Sequence, residues 1–493
     1  MSEKMERAMA YEKEKEKQIK SEQRPLFHLA SRIGWMNDPN GFSFYDEKYH
    51  LFYQYHPYST QWGPMHWGHA VSEDLLSWEY LPVALAPDQP YDKDGCFSGS
   101  AVTLPDGKQL LVYTGVEREM QEDGITVRDI QRQCIAVGDG ASYEKYVGNP
   151  VLTEKDLPEG GSRYDFRDPK VWKENGTYYL VVGNCDAERD GQILLYSSVD
   201  GKEWKYEKIL VKNNKRFGCM WECPDFFELQ GKRVLLISPQ DMLPEELEFH
   251  NGNGTLCMIG NMTETFDFTE ESCHTIDYGI DFYAPQTVLA PDGRRIMIGW
   301  MQNWDTIVFR EDFLWFGQMS LPRELSIRDG RLIQQPVREI ANYYGREVIR
   351  QNVCLEDDCQ LSGVEGRTID LTVDLMAVDS EKEYRKFELR FADNGKYFSS
   401  ISYDPYESVV KIDRKYSGSR RATIHQRRCH VRKNHGEIRI RLILDRYSAE
   451  IFINDGEQVL SMTLYTDLKA DGIRFKVDGK AMMNVTMHEL KEI

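Results

Sequence analysis

The stretch RDPKVWKENGTYYLVVGN, residues 167–184, decides the fold. A run opened by Arg-Asp-Pro leads to an Asn-Gly turn, and a second run rich in β-type residues follows. Asn-Gly between two such runs signals a hairpin, because both residues accept the positive φ of a two-residue turn. The second half of the unit returns as EKYHLFYQ (47–54), DGKQLLVYTG (106–115), QGKRVLLISP (230–239) and DGRRIMIGW (292–300), at intervals of roughly 55 to 70 residues. The first half returns as NDPNGFSFY (37–45), FSGSAVTLP (97–105), ECPDFFEL (222–229) and YAPQTVLA (283–290). Pro39, Pro169, Pro224 and Pro285 stand near the start of four of the five first halves. Downstream, Ser72, Asp74, Trp78 and Tyr80 share their spacing with Ser198, Asp200, Trp204 and Tyr206, as an outer hairpin would.

Five copies with room for about four strands each predict a five-bladed β-propeller. The alternative is an array of β-sandwiches with chance similarity. NDPNG, residues 37–41, reads locally as a turn. If the first halves are innermost strands, their opening residues ring one mouth of the central channel. Asp38, Ser98, Asp168, Glu222 and Tyr283 then converge, though far apart along the chain. From about residue 350, period-two segments such as TIDLTVDLMAV, KFELRFAD, EIRIRLILD, IRFKVDG and AMMNVTMHEL predict a β-sandwich. The expected organisation is all-β: a charged helical leader over 1–24, a propeller over 25–338 and an accessory sandwich over 339–493. The sandwich shows no carboxylate constellation, and a homodimer could form on it.

Composition excludes several classes. A net charge of −19 argues against a nucleic-acid partner. Ten scattered cysteines make no CxxC pair, and His56, His66 and His69 fit no ligand spacing, so neither a metal nor another cofactor is expected. The first twenty residues contain no apolar signal core, and no run of about 20 apolar residues exists. The expectation is a cytoplasmic protein with reduced thiols and no membrane contact.

Three acids at matching repeat positions suit glycoside hydrolysis. One carboxyl must donate a proton to the leaving oxygen, and another must be ionised to attack the sugar or activate water. A third can hold hydroxyls through charge-assisted hydrogen bonds. Singly, Asp38 before proline could be a turn residue, Asp168 beside Arg167 a plain ion pair, and Glu222 a solvated acid; their joint placement favours a site. Trp35, Trp62, Phe97, Tyr283 and Trp304 are candidates for packing on the apolar faces of a sugar. Asn37, Gln54, Ser98 and Arg167 are candidates for its hydroxyls. The expected partner is a small carbohydrate.

WMNDPNG (35–41), FYQYHP (52–57), WGPMHWGHAVSEDLLSWE (62–79), FSGSA (97–101), FRDPKVW (166–172) and ECPDF (222–226) together resemble glycoside hydrolase family 32, in family order. That family holds invertases, sucrose-6-phosphate hydrolases and fructan exohydrolases. The resemblance implies a propeller followed by a sandwich, and a retaining β-fructofuranosidase. It implies Asp38 as nucleophile, Glu222 as acid and then base, and Asp168 as the carboxylate that binds fructose hydroxyls. Asn37, Gln54, Trp62, Phe97, Ser98 and Arg167 match pocket positions, and Trp304 in GWMQNWD does so less closely. Sucrose, sucrose 6-phosphate, inulin and levan remain open as substrates, and no basic run announces a phosphate contact. A non-catalytic fructan-binding propeller would lack one of the acids; all three are present.

Overall fold

The computed structural model describes residues 2–378, 383–418 and 423–491. Five innermost strands open the five blades: β1 (Gly34–Tyr45), β2 (Gly95–Thr103), β3 (Phe166–Glu174), β4 (Trp221–Leu229) and β5 (Tyr283–Leu289). Each pairs antiparallel with the next strand in sequence, and the later strands of the blade follow outward. Each inner strand touches the next, and β5 touches β1, which closes the ring. The two-residue strand Trp315–Phe316, in the connection between the second and third strands of the fifth blade, pairs in parallel with the start of β1 and so fastens the fifth blade onto the first.

The repeated turns explain the blades. Asn175 and Gly176 have φ of 51° and 85°, and Gln230 and Gly231 have 51° and 78°, the pattern of a type I′ hairpin turn. The shared serine and aspartate make one turn twice. Ser72 Oγ accepts from the Leu75 amide at 2.8 Å, and Ser198 Oγ from the Gly201 amide at 2.9 Å.

All five inner pairings lose their regular register near the mouth: at Met36/Pro39, Phe97/Gly99, Val181/Gly183 opposite β3, Glu222/Asp225 and Tyr283/Gln286. Such bulges re-aim side chains. The residue before proline takes a positive φ in three of them: Asp168 (65°), Cys223 (49°) and Ala284 (51°). That conformation costs a non-glycine residue roughly 1–2 kcal/mol. The proline that follows has no N–H for the interrupted ladder to leave unpaired. NDPNG is therefore not a free turn. It runs inside β1, with a second irregularity between Asn40 and Ser43. Gly41 has φ of 53°, and a Cβ there would stand 2.6 Å from Phe52 Cδ2.

Below the bulges, one buried polar residue per inner strand ties the ring together across the channel. Lys170 donates to Asp225 at 3.0 Å and to the Thr287 carbonyl at 2.8 Å. Ser100 donates to the Pro169 carbonyl at 2.7 Å, and Gln286 to the Gly99 carbonyl at 2.7 Å. Asn40 accepts from the Gly99 amide at 3.2 Å.

The C-terminal domain is one hydrogen-bonded sheet of ten strands folded on itself around a common core. IRFKVDG and AMMNVTMHEL, expected as separate strands, are one: β6 (Gly472–Leu490). Its first half pairs with Lys386–Asp393 and its second with Ile369–Ala377, so it belongs to both layers, and Gly479 at φ 112° lies between the halves.

The two domains meet through buried ions. His28 places Nδ1 2.8 Å from Asp445 and Nε2 3.0 Å from Glu450. Arg323 holds Glu450 at 2.6 Å and Asp277 at 3.0 Å, and Arg414 pairs with Asp281. Burial disfavours the His28 imidazolium, but the hydrogen bonds and charges of Asp445 and Glu450 outweigh it and raise its pKa to about 9. A histidine held above its usual value of about 6.5 contributes stability that is complete below that pH and is lost as pH rises through the folded value. The expected effect is on the order of 3 kcal/mol, lost between about pH 6.5 and 9. Thermal unfolding across that window should show the fall in Tm in the wild type, and His28→Gln should lack this part of it.

Candidate active site

The bulged ends of the inner strands open into a cavity of about 1460 Å³. Asn37, Asp38, Gln54, Trp62, Phe97, Ser98, Arg167, Asp168, Glu222 and Trp304 all line it. Trp35 and Tyr283 stand behind this lining and reach it through hydrogen bonds. Trp35 donates its indole N–H to Asn37 Oδ1 at 2.8 Å. An indole can only donate, so this fixes the Asn37 amide with its NH₂ toward Asp38. Asn37 Nδ2 then donates to Asp38 Oδ1 at 3.0 Å, and Ser98 Oγ to Asp38 Oδ2 at 2.7 Å.

Cys223 links the acids. Its amide donates to Asp168 Oδ2 at 3.0 Å, and its Sγ lies 3.5 Å from both Asp38 Oδ2 and Asp168 Oδ2. The two carboxylates are thus within twice that distance of each other. The positive φ at Cys223 aims this amide into the site. Asp168 uses Oδ2 in this way, which leaves Oδ1 to the cavity. Glu222 accepts from Arg167 Nε at 3.1 Å on Oε1, while the Tyr283 hydroxyl lies 2.7 Å from Oε2. Arg167 is held in turn by Asp165 at 3.2 Å and Gln131 at 3.3 Å.

Crowding sets the electrostatics. Burial pushes the Asp38 carboxyl up, the Ser98 hydrogen bond opposes this, and the charge of Glu222 adds to it. Burial raises Asp168 as well, against the Arg167 guanidinium, with Glu222 and Asp38 adding. Burial, with the neighbouring charges of Asp168 and Asp38, holds the Cys223 thiol far above its usual value. It therefore stays an S–H donor to the carboxylates and is no thiolate nucleophile. His56 and His66 both face the Pro64 carbonyl at 3.2 Å, and His69 bonds His50 at 3.0 Å, so these rings are packed against protein partners. Among the described residues, no three His, Cys, Asp or Glu side chains are grouped to hold a metal ion.

The Glycosyl hydrolases family 32 N-terminal domain matches residues 28–336, and the family's C-terminal domain matches residues 339–491. The chain belongs to glycoside hydrolase family 32. A raffinose invertase of Escherichia coli is 40% identical over 90% of this chain and 89% of its own length. A sucrose-6-phosphate hydrolase of the same organism is 37% identical over 90% and 89%. The solved Bombyx mori GH32 beta-fructofuranosidase superposes with a TM-score of 0.84 at 33% identity, covering 99% of this chain and 98% of that one. The protein is a family 32 glycosidase that hydrolyses β-fructofuranoside O-glycosyl bonds.

Some of the family 32 cavity escaped the sequence reading. Arg118, Arg128, Arg163 and Arg189 all line it. They come from one hairpin and two loops, so no local run of charge betrays them. Arg118 faces Asp129 at 3.4 Å and Arg163 faces Glu119 at 2.7 Å. Arg128 and Arg189 make no carboxylate ion pair among the described residues. The guanidiniums of Arg128 and Arg163 lie 5.0 Å and 4.9 Å from the Tyr164 ring centre. Gln131, Asp165 and Thr114, which anchor Arg167 and the Asp168 amide, were also missed; a side chain that supports another carries no motif.

Proposed function

We propose that Asp38, Asp168 and Glu222 carry out a retaining hydrolysis of the terminal β-fructofuranosyl unit of sucrose. The observation that carries this reading is the ring of donors around Asp38. Asn37, Ser98 and the Cys223 thiol all present hydrogens to it, a shell suited to an ionised nucleophile. Asp38 attacks the anomeric C2 as the C2–O bond to the leaving sugar breaks, and Glu222 gives its proton to the departing oxygen. Glu222 then takes a proton from water. The resulting hydroxide attacks C2, the bond to Asp38 breaks and fructose leaves with its configuration retained. The free oxygen of Asp168 holds ring hydroxyls.

Tyr283 suits both states of Glu222. Its hydroxyl lies 2.7 Å from Glu222 Oε2 and 3.0 Å from the Ser238 carbonyl, and it has one hydrogen. It donates to Glu222 when that group is ionised. When Glu222 is protonated, the phenol hydrogen turns to Ser238 and the phenol oxygen can accept a hydrogen bond from the Glu222 carboxyl until substrate takes the proton. Trp62, Phe97 and Trp304 supply apolar faces for the sugar rings. The Bombyx mori relative, in a variant form, has been solved with sucrose bound, and that supports sucrose as the substrate here. Ten cysteines without a disulfide support the cytoplasm as the compartment.

A second reading, sucrose 6-phosphate, is favoured by Arg128 and Arg189 at the rim of an otherwise acidic protein. Comparing kcat/KM on sucrose, sucrose 6-phosphate, 1-kestose and inulin decides between these. Sucrose should yield equal fructose and glucose. Arg128→Ala should leave sucrose unaffected and cut sucrose 6-phosphate by about tenfold, the worth of one charge-assisted contact. No hydrolysis of sucrose would end the first reading; an unchanged ratio in Arg128→Ala would end the second.

A further inference from the structure

The hairpin loop over residues 57–65 carries Trp62 into the cavity wall, where its ring meets Phe97 edge-on at 6.0 Å. The base of this loop is packed against the amino-terminal helix α1 (Glu3–Lys15). Tyr58 is the joint. Tyr11 of α1 contacts its ring edge-on at 5.3 Å, and the Arg7 guanidinium lies 5.3 Å from its centre. On the loop side the Tyr58 ring meets His56 at 5.7 Å and His66 at 5.9 Å. Gly63, next to Trp62, lies flat on His56, and a Cβ there would stand 2.7 Å from the imidazole. The contacts run without a gap from helix to Tyr58, to His56, to Gly63 and Trp62.

The helix is itself firmly seated. Ser2 caps it by accepting from the Met5 amide, and Lys4 donates to the Pro87 carbonyl. Ala8 is fully buried. Arg32 holds Glu12 at 3.6 Å and Glu16 at 2.8 Å. None of these residues lines the cavity.

We infer that α1 is a positioning element of the sugar pocket: through Tyr11 and Arg7 it clamps Tyr58 and so holds Trp62 where substrate meets it. This rests on the sucrose reading above. It goes beyond that reading by giving residues outside the cavity a defined part in substrate binding. A loop freed from the clamp spends less time with Trp62 in the wall, so substrate affinity falls while the chemistry at Asp38 and Glu222 is untouched. KM changes, and kcat does not.

The test uses the full chain. Tyr11→Ala and Tyr58→Ala should each raise KM for sucrose about fivefold with kcat within about twofold, and Tyr58→Phe, which keeps the ring, should restore the wild-type KM. In a Trp62→Ala background, Tyr11→Ala should add less than about twofold, because the two residues act through one contact path. Chymotryptic cleavage at Trp62 should also be faster in Tyr11→Ala, and this readout does not need turnover. An unchanged KM in both alanine variants, or a full effect of Tyr11→Ala without Trp62, overturns the clamp. A wild type that does not hydrolyse sucrose overturns the substrate reading instead; the clamp then stands or falls on the cleavage rate alone.

Discussion

Asp38→Asn should lose about four orders of magnitude in kcat on sucrose or more, with the fold intact. The amide nearly matches the carboxylate in shape, so Trp35, Asn37 and Ser98 stay in place. What goes is the attacking electron pair, and no neighbour can replace it. Cys223, the nearest alternative, is held as a thiol by burial and by the charges of Asp168 and Asp38. The variant should also be more stable than the wild type. Asp38 is a buried carboxylate beside other acids, and its pKa is raised because its charge is costly there. Removing that charge relieves the site, as expected where function is kept at the expense of stability. A rise of a few degrees in Tm with activity gone would fit; appreciable residual turnover would remove Asp38 from the role of nucleophile.

Glu222→Gln should cost about three orders of magnitude on sucrose, and the loss should depend on the leaving group. Sucrose has an alkoxide-like leaving oxygen that needs a proton. An aryl fructoside with an acidic phenol does not, so its first step should be nearly normal. Water then attacks the fructosyl-enzyme without a base, and the intermediate should accumulate as a burst of phenol. Azide, a nucleophile that needs no base, should rescue the second step and give β-fructosyl azide. That product carries retained configuration and reports the covalent intermediate. Equal losses on both substrates, without azide rescue, would mean that Glu222 orders Arg167 and Tyr283 rather than moving protons.

The propeller was legible because each blade repeats the same local chemistry. Asn175-Gly176 sets a turn by backbone geometry alone, and Ser72 and Ser198 write the same turn into two blades. The convergence of Asp38, Asp168 and Glu222 followed from these repeats, although Glu222 is not the strict equivalent of the other two: Cys223 holds the place before proline that Asp38 and Asp168 hold, and Glu222 stands one residue earlier, level with Arg167 and Tyr283. NDPNG misled locally: turn residues sit inside β1, where a bulge needs the backbone freedom of a turn within a strand. Such conflict between local preference and global structure is expected at a functional site. IRFKVDG and AMMNVTMHEL misled in the same way, since Asp478-Gly479 bends one strand instead of ending it. The interdomain ions were invisible for another reason. His28 and its partners are more than four hundred residues apart, and neither end carries a pattern that names the other. The arginine rim was hidden likewise, spread over one hairpin and two loops.

The knot of Asn40, Ser100, Lys170, Asp225 and Gln286 has a consequence for the order of events in catalysis. It makes the shaft a dead end, with a floor where an open-ended tube would have a second exit. Only the tip of a saccharide can touch bottom, and a residue from mid-chain cannot. With Asp38 as the proposed nucleophile, the fructosyl group it would hold is then the deepest piece of the substrate, beneath the sugar it has just lost. That outer sugar must depart first, and water or any competing acceptor must arrive through the doorway it vacates. On that reading the choice between hydrolysis and transfer is made at the entrance, where Trp62, Tyr164 and the arginines line the cavity.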